Sequence, residues 1–73
     1  MSQEQIAISD MQCWLFRKAQ QKWHISPSEC TNLFRQYNIM DYIRECYDIL
    51  HLSSYDHALQ DVEDILHQGG VQV

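Results

Sequence analysis

The sequence predicts an all-α domain, a compact bundle of four short helices with the third helix central. Three observations predict it. Only two glycines and one proline occur in 73 residues, too few for the tight turns of a β-sandwich or barrel. Apolar residues recur three and four apart through four stretches, the period of an amphipathic helix. The connections between those stretches are short, roughly two to five residues, so consecutive helices pack as neighbours.

The first helix is expected from about Glu4 to Trp23. Ile8, Met11, Leu15, Ala19 and Trp23 form its apolar face, and Trp14 widens it. Lys18 and Lys22 stand i, i+4 on the other side with Arg17 beside them, where basic residues suit the helix C-terminus. Ser9-Asp10 offers a later start, which would leave residues 1–8 as a tail.

The second helix carries the clearest local signal. Ser26-Pro27-Ser28-Glu29 places a capping serine, a proline at the first helical position and a glutamate three residues after the cap. Cys30, Leu33, Phe34 and Tyr37 supply the apolar stripe, and Asn38, tolerant of left-handed backbone, marks the stop.

The third helix is expected from Met40 or Asp41 to Leu52. Ile43, Cys46, Tyr47 and Leu50 make its apolar face, and Tyr42 and Ile49 extend the arc. So wide an arc predicts burial by neighbours on two sides. The fourth helix follows Ser53-Ser54, either of which can cap it. Tyr55, Ala58, Leu59, Val62, Ile65 and Leu66 form its apolar face, and Gly69-Gly70 ends it. The whole reads as one domain over 1–73, with an ordered core over about 4–67 and a loose tail over 68–73.

A domain this small buries only about 60% of its unfolded surface. Eight aromatic residues are more than four short helices cover easily, which favours a partner or a second copy. Charge is uneven. Residues 1–40 hold Arg17, Lys18, Lys22 and Arg35 against Glu4, Asp10 and Glu29. Residues 41–73 hold Arg44 against Asp41, Glu45, Asp48, Asp56, Asp61, Glu63 and Asp64. An acidic second half disfavours nucleic-acid backbones and anionic membranes and suits a basic partner. No signal-peptide pattern opens the chain and no run of about 18 apolar residues occurs, so the expected location is cytoplasmic.

The run Leu33-Phe34-Arg35-Gln36-Tyr37-Asn38-Ile39, then Asp41-Tyr42-Ile43, then Glu45-Cys46-Tyr47-Asp48-Ile49-Leu50-His51 resembles one small bacterial family catalogued as a domain of unknown function. Asp61-Val62-Glu63-Asp64-Ile65 resembles the acidic helix that ends its members. The resemblance covers about residues 10–67. It implies a helical domain often encoded beside proteins that look like ADP-ribosyltransferases, in arrangements reminiscent of toxin–antitoxin pairs.

Candidate chemistry is thin. Cys13, Cys30 and Cys46 read as buried thiols acting as small hydrophobes. Cys46 and His51 diverge by about 140° around a helix, which argues against a thiol nucleophile. His24, His51, His57 and His67 show no metal-ligand spacing with one another or with the cysteines. A helix-turn-helix reader formed by the second and third helices would present carboxylates to DNA, leaving only Arg17, Lys18 and Lys22 to bind it. The expectation is therefore no enzyme, no catalytic residue, no cofactor and no metal.

What remains is a protein-interaction module. Its partner-binding residues are expected at Asp41, Tyr42, Glu45, Asp48, Asp61 and Asp64, with Trp14 and Trp23 as aromatic anchors. The family resemblance implies as partner a neighbouring-gene product that looks like an ADP-ribosyltransferase, restrained as by an antitoxin. The alternative is a homodimeric accessory protein whose partner is itself.

Overall fold

The capping residues set the architecture. The computed structural model describes residues 2–73; Met1, part of the expected domain, lies outside the described residues. Ser2 accepts a hydrogen bond from the Gln5 N–H and starts α1 (Gln3–Trp23). The helix therefore begins before Ser9-Asp10 and runs 21 residues. It stops at His24, whose left-handed backbone (φ 55°) turns the chain. The Ser26 side chain accepts from the Glu29 N–H at 3.1 Å and Pro27 opens α2 (Pro27–Gln36), as the local signature predicts. Asn38 takes the left-handed conformation (φ 54°) between α2 and α3 (Ile39–Glu45).

The expected third helix is broken. It divides at Cys46 (φ −101°, ψ 10°) into α3 and a single turn, α4 (Tyr47–Leu50). Past the break the Cys46 carbonyl accepts from both the Ile49 N–H at 3.0 Å and the Leu50 N–H at 2.8 Å. Sharing one carbonyl between i+3 and i+4 tightens the turn. Leu50 then joins the core, while Ile49 is exposed. Among the described residues the bundle thus has five helices, four of them seven residues or longer, in place of exactly four.

Ser54, not Ser53, caps α5 (Tyr55–Gln68) by accepting from the His57 N–H at 3.2 Å. Ser53 instead donates to the Leu50 carbonyl. At the far end Gly70 adopts φ +88°. The Val71 N–H reaches the Leu66 carbonyl at 2.9 Å and the Gly70 N–H the His67 carbonyl at 3.0 Å. This pair of bonds is the Schellman closure, which needs a residue free to take positive φ. Where a loose tail is expected over 68–73, Gln68 is still helical, and Val71 and Val73 pack against the core.

Met11, Leu15 and Ala19 recur every four residues along α1 and are fully buried. They meet Cys30 and Phe34 of α2, Ile39 and Ile43 of α3, and Leu59, Val62 and Leu66 of α5 in one core. The longest helix, α1, is the hub, since α2, α3 and α5 all pack on it. The seven-residue α3 likewise packs against three helices, α1, α2 and α4, and shares the centre of the bundle with α1. Gln12 fixes the α1–α3 register by donating to the Met40 carbonyl at 2.9 Å. Among the described residues no helix is long and apolar enough to cross a membrane.

Candidate interaction surface

Past the break at Cys46 lies the most exposed pair of large apolar side chains among the described residues. Ile49 is 73% exposed and Leu52 79%. The two lie three residues apart on the turn leaving α4, where the Leu52 N–H donates to the Ile49 carbonyl at 3.2 Å. Ile49, expected on the buried arc of an unbroken third helix, faces solvent one turn past the break. Glu45 and Asp48, both exposed, stand beside this pair in the chain. Ile49 and Leu52 with Glu45 and Asp48 are called the ledge below.

Tyr42, Asp61 and Asp64 form a second acidic group. Burial pushes the Tyr42 hydroxyl above its ordinary value of 10.0, and Asp61, Cys46 and Asp64 push it the same way. That ordering places the α5 carboxylates within electrostatic reach of a half-buried α3 hydroxyl. Asp64 also accepts from the Gln60 side chain at 3.2 Å.

Asp41 belongs elsewhere. It pairs with Arg44 at 2.9 Å on an exposed flank and lines an open groove of about 390 Å³ with Phe16, Phe34, Arg35 and Met40. Asp48 stands i, i+4 from Arg44 and i, i+3 from His51 but forms an ion pair with neither among the described residues. The break at Cys46 interrupts the helical spacing between Arg44 and Asp48, and His51 stacks on Tyr47 with ring centroids 4.8 Å apart.

The tryptophans are engaged within the fold. Trp14 is half-buried and packs edge-on against Tyr55 with centroids 5.0 Å apart. Trp23, also half-buried, donates its indole N–H to Glu63 at 3.0 Å. Lys22 reaches the other oxygen of that carboxylate at 2.8 Å. Glu63 is 5% exposed, so it is an internal anchor and not part of the acidic surface its neighbours suggest. The signal for this was present: Glu63 sits with Leu59, Val62 and Leu66 at i, i+3, i+4, i+7, on the apolar stripe itself. For Ile49 and Leu52 no local signal existed, since the helix break that precedes them carries neither glycine nor proline.

The thiols do not form a site. Cys30 is buried and its pKa is pushed up to about 11 by that burial; its Sγ donates to the Phe16 carbonyl at 3.7 Å. Cys46 is half-buried, and Cys13, expected inside, is exposed on the outer side of α1. Among the described residues no three His, Cys, Asp or Glu side chains converge to hold a metal ion.

The fold and this surface define a small all-helical domain whose distinctive groups lie on its outside. The chain belongs to the family described as "Protein of unknown function (DUF3791)", whose model matches residues 10–68. The match opens one residue before the first core residue, Met11, and closes on the last residue of α5. Comparison with curated proteins and with solved structures finds no match.

Proposed function

We propose that this chain is a non-catalytic protein-interaction module that docks through the ledge. The observation that carries the reading is the exposure of Ile49 and Leu52, at 73% and 79%, beside the carboxylates of Glu45 and Asp48. Apolar anchors with a charged rim are the arrangement from which interfaces draw most of their binding energy and their specificity. The partner's chemistry follows: an apolar depression bordered by lysine or arginine. Tyr42, Asp61 and Asp64 extend the negative field and speed encounter with such a surface.

The family resemblance supplies a candidate partner, an ADP-ribosyltransferase-like protein encoded nearby in a bacterial genome. Binding would restrain it by covering a basic substrate cleft. The helix-turn-helix alternative gains nothing from the fold, since the exposed side of α3 carries Asp41 and Glu45, with Arg44 already paired to Asp41.

Co-expression with the adjacent gene product tests the reading. The expected result is a co-purifying complex and relief of the partner's toxicity, both lost when Glu45→Arg and Asp48→Arg are combined. A complex that forms equally well with the inverted ledge overturns it.

A further inference from the structure

A second surface complements the ledge. Between α1, α2 and the start of α3 lies the groove of about 390 Å³, adjoined by a nearly all-apolar depression of about 290 Å³. Phe16 and Met40 line both. Phe34 forms the floor, edge-on to Phe16 with centroids 5.3 Å apart. Arg17 and Arg35 border the two depressions, are exposed, and make no ion pair among the described residues. Asp41, the only carboxylate on this border, is neutralised by Arg44.

This groove is the chemical counterpart of the ledge: it sets Phe16 and Met40 beside unpaired cations, with Thr31 and Asn38 on the same lining, where the ledge sets Ile49 and Leu52 beside unpaired carboxylates. We infer that the occupant of the groove is the ledge of a second copy of this chain, with Ile49 and Leu52 seated on Phe16 and Met40, and Glu45 and Asp48 facing Arg17 and Arg35. The inference rests on the reading of the ledge as a docking surface and names what covers it in the free chain, an occupant that a hetero-partner has to displace.

One seating alone is small. A stable interface covers about 800 Å² on each partner, and the whole chain exposes 4944 Å². Reciprocal seating in a two-fold pair buries both ledges and both grooves at once, because an isologous contact is made twice. The two-fold pair is therefore the form proposed.

Sedimentation equilibrium on the intact chain, with two charge-inverted variants, tests this. The ledge variant is Glu45→Arg with Asp48→Arg; the groove variant is Arg17→Glu with Arg35→Glu. All four positions are exposed, and circular dichroism verifies that both variants remain folded. The expected result is a wild-type dimer that weakens as salt rises. Each variant alone is expected to associate roughly tenfold or more weakly, since like charges then face each other. An equimolar mixture of the two is expected to recover the dimer, because each inverted surface meets its opposite. A wild-type chain that stays monomeric at millimolar concentration, or a dimer that neither variant weakens, overturns the inference. A monomeric wild type leaves the hetero-partner reading standing on its own co-purification assay, so the two fail separately.

Discussion

The indole N–H of Trp23 donates to Oε2 of Glu63 at 3.0 Å, joining the last turn of α1 to the buried face of α5. Lys22 holds the other oxygen at 2.8 Å. A carboxylate at 5% exposure is costly to keep charged unless both oxygens are partnered, and here both are. Glu63→Ala is expected to destabilise the domain by about 1–3 kcal/mol, because the half-buried indole N–H loses its acceptor. Glu63→Gln keeps an acceptor for Trp23 and is expected to cost less. Urea unfolding followed by tryptophan fluorescence measures both. Equal losses for the two variants would show that the hydrogen bond to Trp23 contributes nothing.

Gly69 and Tyr37 are expected to be coupled. A Cβ at Gly69 would lie 2.7 Å from Tyr37 Oη and 2.8 Å from Cζ, inside the range that real Cβ atoms avoid. Tyr37 Oη meanwhile donates to the Gly69 carbonyl at 3.2 Å. Gly69→Ala is expected to cost about 1–3 kcal/mol through overpacking, and clearly less when Tyr37→Ala is already present. A double-mutant cycle reads the coupling, and additive losses contradict the account. Gly70→Ala carries a separate penalty of about 1 kcal/mol, from its left-handed backbone and not from crowding.

The three thiols are expected to label in the order of their exposure: Cys13 at once, Cys46 more slowly, and Cys30 only as the domain unfolds. Mass spectrometry after a timed maleimide pulse gives the order directly. Modification of Cys30 ahead of Cys13 in the folded chain would contradict the packing of α2 on α1.

Burial of Cys30 also sets a pH dependence. Its pKa rises from 9.0 to about 11 in the folded state, so above pH 9.0 the unfolded chain releases a proton that the folded chain retains. The thiol's contribution to stability is therefore complete below pH 9.0 and declines as pH rises toward about 11. Tyr42, also raised, acts with the same sign from about pH 10 upward. Chemical denaturation across pH 8–11 is expected to show falling stability, with a shallower fall in Cys30→Ala. An identical slope in that variant removes the thiol as the cause.

Much of this fold is local and for that reason legible in the sequence. Ser26, Pro27 and Glu29 specify the start of α2 within four residues, and Gly69-Gly70 specify the end of α5 in two. The break at Cys46 is not local. Neither glycine nor proline marks it, and it accompanies the entry of Leu50 into a core shared with α5. Ile49, expected on a buried arc, is exposed just past that break, and Arg44 and Asp48 lose their i, i+4 register across it. The groove was invisible for a related reason. Phe16, Phe34 and Met40 come from three helices, and only packing brings them to one place.

The helix cap next to the ledge offers a compact check on that packing. Ser54→Ala is expected to cost about 1 kcal/mol, since the His57 N–H loses its acceptor. Ser53→Ala is expected to cost less, because its hydroxyl only supplements the Leu50 carbonyl. Thermal unfolding of the two variants distinguishes them, and the reverse ranking would place the start of α5 one residue too late.

Docking through the ledge formed by Ile49 and Leu52 is proposed for this domain. The dissociation constant of the proposed complex with a neighbouring-gene product, for the wild-type chain and for the double variant Ile49→Ala with Leu52→Ala, tests it. Both residues are exposed, so the variant is expected to unfold at nearly the wild-type temperature while binding about tenfold or more weakly. Wild-type affinity in that variant, with loss of binding appearing instead on Trp14→Ala, would place the docking surface on α1 and contradict the account.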